Sequence, residues 1–263
     1  MNTLTDSASR ISAIGVLARM GYAARALVYL VVGSLAILTA VGLGGETTDS
    51  RGAVREIAEQ PFGKVLLILL VLGLLGYVIW RATQALTDSD DHGTSAKGLG
   101  VRAGLLISAG THAALALFTV KLIWSGSDDS SGQPTWLSSD AGLWFLAAVG
   151  VGMAIAGIAH MVKGWKVGYQ KFMRLPPSQV VWMQPLCRFG LVARGAVLIL
   201  IGAILARSAI VAHSSDVKGI ADALHALRDT AYGAWLLGVV AAGLVAFGCY
   251  SLLEAIYRRI DDE

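Results

Sequence analysis

A motif that recurs along this chain first appears as RMGYAAR at residues 19–25, with Gly33 eight residues further on. It recurs as RFGLVAR at residues 188–194, again with a glycine eight residues on. A third copy, RAGLLIS at residues 102–108, keeps the first arginine and the glycine but ends in Ser108. Each copy lies at the start of a long apolar run, so the sequence predicts repeated helices of one kind.

A second helix follows each copy and carries two glycines ten residues apart. These pairs are Gly63 and Gly73, Gly142 and Gly152, and Gly233 and Gly243. Small residues let helix backbones approach closely in lipid, where no hydrophobic force drives helices together. On the fourth helix the same role is predicted for a stripe: Ala148, Gly152, Ala156, Ala159 and His160.

A short polar segment leads into the second and the sixth apolar run. Residues 53–63 and residues 223–233 have apolar positions at helical spacing with charges between them. They predict short amphipathic helices on the outer membrane face. The middle copy has a Ser/Asp/Gly loop, residues 125–140, in that place.

Composition places this chain in a membrane. It has 263 residues, of which 55% are hydrophobic and 15% charged, whereas soluble domains have roughly 25% charged residues. The first apolar run is longer than a signal-peptide core, so we expect it to stay in the protein. Six runs are long enough to cross a bilayer: residues 18–42, 63–86, 102–124, 141–164, 187–210 and 232–257.

The copies predict an all-α fold with a single transmembrane domain over residues 1–263. Six transmembrane helices form three parallel two-helix repeats with pseudo-three-fold symmetry, at about residues 12–90, 97–175 and 182–260. Two thirds of the lysines and arginines fall on one side, so both termini are predicted to face the cytoplasm. The expected location is the cytoplasmic (inner) membrane of a bacterium, as a multi-pass protein.

These motifs resemble a family of bacterial membrane proteins, the domain-of-unknown-function family 1206. The resemblance rests on LARMGYAAR at residues 17–25, VYL at residues 28–30 and IAEQPFG at residues 57–63. It implies three tandem two-helix units over about residues 12–260, and it implies no activity, substrate or catalytic residue. The middle repeat departs from the pattern, because it has Ser108 for the second arginine and lacks the Pro-Phe-Gly signature.

Ionisable groups inside a membrane helix cost free energy, so they are functional candidates. Arg25 and Arg194 lie roughly 10 Å beyond their inner helix ends, at 1.5 Å per residue. One interpretation is an anchor that snorkels to the headgroups or bonds backbone carbonyls; the other is an anion site for a phosphate or carboxylate. In the third helix Ser108 takes their position and His112 lies one turn deeper, where the first helix has Tyr29.

Glu254 is a carboxylate within the sixth helix, at the position that Lys163 takes in the fourth. The favoured interpretation is an ion pair with Lys163 or one of the two arginines, and the alternative is a titrating group in a transport path. His112 is interpreted as a buried, hydrogen-bonded imidazole, with a proton relay or a haem or metal ligand as alternatives. His160 lies at a different depth, which argues against one iron between the two histidines.

Motifs of catalysis, nucleotide binding and metal ligation do not appear in this chain. The sequence therefore predicts no enzyme, no cofactor, no metal site and no nucleic-acid partner, with a haem or other redox protein as a third class. Basic and aromatic residues at 163–185 are expected to touch anionic headgroups. Two main classes stay open. One is a structural or interaction protein that binds anionic lipid, a membrane protein or a second copy; the other is a small channel or transporter with a polar cytoplasmic vestibule.

Overall fold

The computed structural model describes residues 2–43, 49–126, 139–211 and 233–259, which are all-α with no β-strand among them. A short helix, α2 (Ser50–Glu59), and a 3-10 turn (Gln170–Phe172) accompany six long helices. Each long helix contains a stretch apolar and long enough to cross a bilayer, which confirms the six predicted spans. The long helices are α1 (Asn2–Ala40), α3 (Gly63–Thr87), α4 (Ala96–Ser125), α5 (Asp140–Trp165), α6 (Val180–Val211) and α7 (Gly233–Tyr257).

Three of these helices begin before the apolar runs that predict them. The runs start at residues 18, 102 and 187, whereas α1, α4 and α6 begin at Asn2, Ala96 and Val180. Hydropathy detects only the lipid-facing part of a helix, while backbone hydrogen bonds continue into the polar residues before it. The extra turns carry these three helices beyond the apolar zone.

The long helices pack side by side in an open arc, in the order α4, α3, α1, α7, α6 and α5. Neighbouring repeats pack at three interfaces, which join α3 with α4, α5 with α6, and α7 with α1. Within repeats, α1 packs on α3 and α6 packs on α7. The described parts of α4 and α5, the pair of the middle repeat, form no comparable interface. The three two-helix units are therefore confirmed. We call the hairpin of the middle repeat open, because its two helices do not pack on each other, and the hairpins of the other two repeats closed.

Glycines set the spacing of the two closed hairpins. A Cβ atom on Gly21 would lie 2.5 Å from the backbone of Tyr77, and one on Gly190 would lie 2.5 Å from the backbone nitrogen of Phe247. No L side chain fits at such distances, so the paired helices touch through their backbones. The middle repeat has Gly104 at this position, where a Cβ atom would meet nothing within 4 Å.

The small-residue stripe predicted on α5 is not its packing face, so that prediction is wrong. A Cβ atom on Gly152 would meet nothing within 4 Å, and Ala159 is exposed. The helix packs on α6 through Gly150 and Gly157 instead, where added Cβ atoms would lie 2.6 Å and 2.5 Å from backbone oxygens of α6. These two glycines are seven residues apart, the spacing that keeps one face of a helix against a neighbour.

The first arginine of each repeat joins it to the neighbouring repeat. Arg102 Nε donates to the carbonyl oxygen of Ala85 at 2.7 Å, and Arg188 Nη2 donates to that of Trp165 at 2.9 Å. Arg19 Nη1 donates to two carbonyls at the end of α7, at 2.8 Å and 2.7 Å. The last carbonyls of a helix lack donors within the helix, so these arginines cap three helices. We call this end of the bundle the basic end, and the end that carries α2 the opposite end.

The amphipathic helix predicted before α3 is present as α2. Asp49 caps it by accepting from the backbone amides of Arg51 and Gly52, both at 2.9 Å. Its apolar face lies on a buried cluster that we call the opposite-end core. The second predicted amphipathic helix, residues 223–233, lies almost wholly outside the described residues. The opposite-end core includes Val28, Val32, Ala53, Val54, Ile57, Leu67, Leu70, Ala116, Val197, Ile201 and Leu244.

Candidate functional site

Arg25 points into the bundle and is fully paired there. The residue is 3% exposed. Its Nε donates to Ser251 Oγ at 3.1 Å, its Nη1 donates to the Tyr77 hydroxyl at 2.7 Å, and its Nη2 pairs with the Glu254 carboxylate. The snorkelling interpretation is wrong for Arg25, because α3 and α7 supply acceptors for the guanidinium inside the bundle.

Glu254 is buried and accepts from two arginines. Besides Arg25, it accepts from Arg258 Nη1 at 3.2 Å, one turn further along the chain. Arg258 Nη2 pairs with Asp90 at 3.0 Å, and Asp90 accepts from the Gln84 amide at 2.6 Å. Burial alone would lower the pKa of Arg258, but Tyr22 and the carboxylates of Asp90 and Glu254 outweigh it and raise that pKa. The ion pair expected between Glu254 and an arginine is present, with Arg258 as a further partner.

Sequence reasoning missed Tyr77 and Arg81, which complete this network. The Tyr77 hydroxyl accepts from Arg25 Nη1 and also from Arg81 Nε, the latter at 2.8 Å. Arg81 Nη1 donates to the Gln84 side-chain oxygen at 3.2 Å. Neither acceptor of Arg81 is a carboxylate, and no carboxylate lies at ion-pair distance from it in the described chain.

The repeat register contains the signal that could have found Arg81. Eight residues after their second glycine, the even-numbered spans have Arg81, His160 and Ser251. Ser251 accepts from Arg25 across the interface between repeats. Arg81 aligns with Ser251 and Ser108 aligns with Arg25, so Arg81 and Ser108 take the same two positions where α3 meets α4. At this interface the arginine therefore belongs to α3 instead of α4. Ser108 itself contributes no side-chain hydrogen bond within the described chain.

Arg194 takes the repeat position of Arg25 but lacks its partners. Its guanidinium carbon lies 4.9 Å from the ring centre of Tyr29 and 4.3 Å from that of Phe247. Its Nε is buried and has no hydrogen-bond partner among the described residues. No described carboxylate forms an ion pair with Arg194. Arg194 is half-buried, whereas Arg25 is fully buried.

Lys163, near the basic end of α5, is a further cation without a carboxylate at ion-pair distance in the described chain. Its ammonium lies 5.6 Å from the ring centre of Phe172 and 6.0 Å from that of Tyr250. Cations therefore outnumber carboxylates in this region, which we call the cationic network. Its cations are Arg25, Arg81, Lys163, Arg194 and Arg258, and its carboxylates are Asp90 and Glu254.

The two intramembrane histidines lie on α4 and α5, the helices of the middle repeat. His112 belongs to α4, and His160 of α5 takes the repeat position of Ser251, the hydrogen-bond partner of Arg25. Each Nδ1 donates to a carbonyl oxygen one turn earlier, that of Ser108 or Ala156, at 2.8 Å. Because Nδ1 is the donor, a neutral ring keeps an acceptor at Nε2. The hydrogen-bonded imidazole expected at position 112 is thus present, half-buried and 4.4 Å from the Tyr77 ring.

The segment at residues 163–185 folds back onto the bundle. Tyr169 and Met183 are buried against Tyr250 of α7, and burial raises the pKa of the Tyr169 hydroxyl. The backbone amide of Arg174 donates to the Tyr257 carbonyl at 2.8 Å. Much of the segment is therefore packing surface, and the contact with headgroups stays a prediction for its exposed residues.

This geometry defines a multi-pass α-helical membrane protein of three two-helix repeats. The chain belongs to the family described as Domain of Unknown Function (DUF1206), whose model matches residues 20–88, 103–167 and 189–258. The chain is also similar to "Uncharacterized protein YxxB" of Bacillus subtilis (strain 168), with 30% identity over 249 residues, 92% of this chain and 90% of that protein. No solved structure matches the chain. The resemblance found in the repeats is confirmed.

Proposed function

We propose that this protein is a non-enzymatic binding protein of the cytoplasmic membrane that holds an anion of the phosphate or carboxylate class in its cationic network. The observation that carries the proposal is Arg194, a guanidinium within a membrane span that has no acceptor among the described residues. An arginine at the centre of a membrane helix costs about 2.5–3.5 kcal/mol. An anion bound through two parallel N–H···O bonds would offset that cost.

The positions of the other cations support the same proposal. Arg25 and Arg258 already share Glu254, so an incoming anion would meet Arg194 and Lys163 first. Arg81 donates to a phenol and to an amide oxygen and has no carboxylate partner in the described chain, so its charge adds to the positive potential of the cationic network. The positive-inside rule assigns the basic end to the cytoplasm, so the proposed site faces the cytoplasmic leaflet.

A channel or transporter is the alternative class, and the opposite-end core favours binding over conduction. Apolar side chains of α1, α2, α3, α4, α6 and α7 are buried together there. Water has no polar group to follow through such a cluster. The proposed anion site would thus be open to the basic end and closed toward the opposite end.

The test compares two arginines on one helix. The full-length protein is purified in mild detergent and titrated with inorganic phosphate, phosphatidylglycerol or phosphatidylcholine, and retained molecules are counted by native mass spectrometry. We expect retention of phosphate or phosphatidylglycerol, lowered about tenfold by Arg194→Gln, because a hydrogen bond to a charged group contributes about 1.5–3 kcal/mol. Arg207→Gln is the matched control, since Arg207 is exposed at the opposite end of α6. Equal anion retention by both variants would contradict the proposal.

A further inference from the structure

The open hairpin of the middle repeat exposes helix faces that the other repeats bury. On α4, Gly104 has no neighbour, and Ile107 is 67% exposed. On α5, Gly152 has no neighbour, and Ile155 is 62% exposed. In the repeat alignment these four residues correspond to residues that lie in the interface of α1 with α3 and in that of α6 with α7. They line a cleft between α4 and α5, which we call the middle cleft.

Two differences in sequence account for the open state. In the closed hairpins an alanine lies against the second glycine: the Ala24 Cβ would be 2.6 Å from a Cβ on Gly73, and the Ala193 Cβ would be 2.0 Å from one on Gly243. The middle repeat has Ile107 at the alanine position, and a branched side chain prevents so close an approach.

The second difference is the loss of an aromatic ring. Four residues after the second glycine, α3 has Tyr77 and α7 has Phe247, and both rings are buried. The middle repeat has Ala156 there, which is too small to fill the same space. A bulkier α4 face and a smaller α5 face therefore leave a gap that the chain itself does not fill.

The middle cleft leads to Arg194. His112 belongs to one wall and His160 to the other, and His160 takes the position on α5 that Ser251, the hydrogen-bond partner of Arg25, takes on α7. Ile107 on one wall and Ile155 on the other present large exposed apolar side chains. A ligand that fits both features has an anionic group for Arg194 and a hydrocarbon chain for the walls.

We propose that the middle cleft binds one anionic phospholipid, which enters sideways from the bilayer and places its phosphate on Arg194 and an acyl chain between α4 and α5. This inference rests on the proposed anion site and names its ligand. A lipid fits better than a partner helix because the cleft has an unbalanced cation at its inner side, which an apolar helix would leave buried without a counterion. Phospholipid is also present all around the open hairpin in a membrane.

The test uses two glycine variants that differ only in where the new side chain lies. Gly152→Leu fills the middle cleft, whereas Gly110→Leu adds the same side chain to another face of α4, and a Cβ atom meets nothing within 4 Å at either glycine. Both variants are therefore expected to fold, which thermal unfolding checks. Full-length proteins are incubated with mixed micelles of phosphatidylglycerol, phosphatidylcholine or diacylglycerol, or with inorganic phosphate, and analysed by native mass spectrometry.

We expect one retained phosphatidylglycerol per chain, at least tenfold weaker retention in Gly152→Leu, and no change in Gly110→Leu. Inorganic phosphate should be retained by wild type and by Gly152→Leu alike, since Arg194 is unchanged.

If Gly152→Leu keeps wild-type lipid retention while Arg194→Gln loses it, lipid binding in the middle cleft is overturned and the anion site stands. If phosphate displaces the lipid at equal concentration, the ligand is a free anion. If Gly152→Leu instead abolishes a dimer, the cleft is occupied by a second copy. If the wild-type protein retains neither phosphatidylglycerol nor inorganic phosphate, both proposals are overturned.

Discussion

Arg25 and Arg194 occupy the same position of the repeat and both lie near the Phe247 ring, yet only Arg25 has hydrogen-bond acceptors among the described residues. Arg25 lies behind a closed hairpin and meets a carboxylate, a phenol and a hydroxyl. Arg194 lies beside the open hairpin and meets two aromatic faces. One motif therefore has two kinds of surroundings: the first copy joins helices through its hydrogen bonds, and the second is the one that we propose binds an anion.

The largest expected effect is on the stability of the closed side. Arg25→Leu should lower the free energy of unfolding by about 3–5 kcal/mol, since it removes one partner of a buried ion pair. Arg194→Leu should change it by less than about 1 kcal/mol or increase it, because an unbalanced charge is removed. Chemical unfolding of delipidated protein in one detergent measures both. Equal losses in the two variants would show that both arginines are structural.

A smaller effect should separate the glycines of the closed and open hairpins. Gly190→Ala should cost about 1–3 kcal/mol, because the new methyl group meets the backbone of Phe247 and α6 must move away. Gly104→Ala should be neutral or stabilising by up to about 1 kcal/mol, since it meets nothing and alanine favours a helix. Thermal unfolding of the two variants measures the difference. A large loss for Gly104→Ala would mean that the middle hairpin closes in solution.

The smallest change in stability is expected in the turn after α3, which contains Asp88 and Asp90. Asp88, at φ 58°, accepts from the backbone amides of His92 at 2.9 Å and Gly93 at 2.7 Å. These donors lower the pKa of Asp88, so its contribution to stability is present above the ordinary pKa and is lost as pH falls through the lowered one. Asp88→Asn, which tolerates the same backbone, should be slightly less stable than wild type near pH 7, and the difference should disappear as the pH falls through the lowered pKa of Asp88. A difference that does not change with pH would contradict this assignment.

The alignment of the three repeats predicts much of the site, but it does not single out Arg81 and Tyr77. The register finds Arg25, Arg194 and Glu254, because each is a charge at a fixed place in an apolar span. It also contains Arg81, but only the contact of Arg25 with Ser251 shows which positions face each other across repeats. Tyr77 gives no signal in the sequence, because a tyrosine within a span is as common in packing as in hydrogen bonding.

Hydropathy and spacing are local properties of the chain, so the sequence alone predicts the number of spans, their grouping into three repeats and the intramembrane charges Arg25, Arg194 and Glu254. The tertiary structure is needed to show which arginine is paired and which hairpin is open. Those outcomes depend on the distances between helices. The close approach of Gly21 to Tyr77 holds α1 against α3, whereas the large Ile107 and the small Ala156 leave α4 and α5 apart. Helix spacing in lipid is set by small differences in side-chain volume on facing surfaces, and a sequence does not show which surfaces face each other.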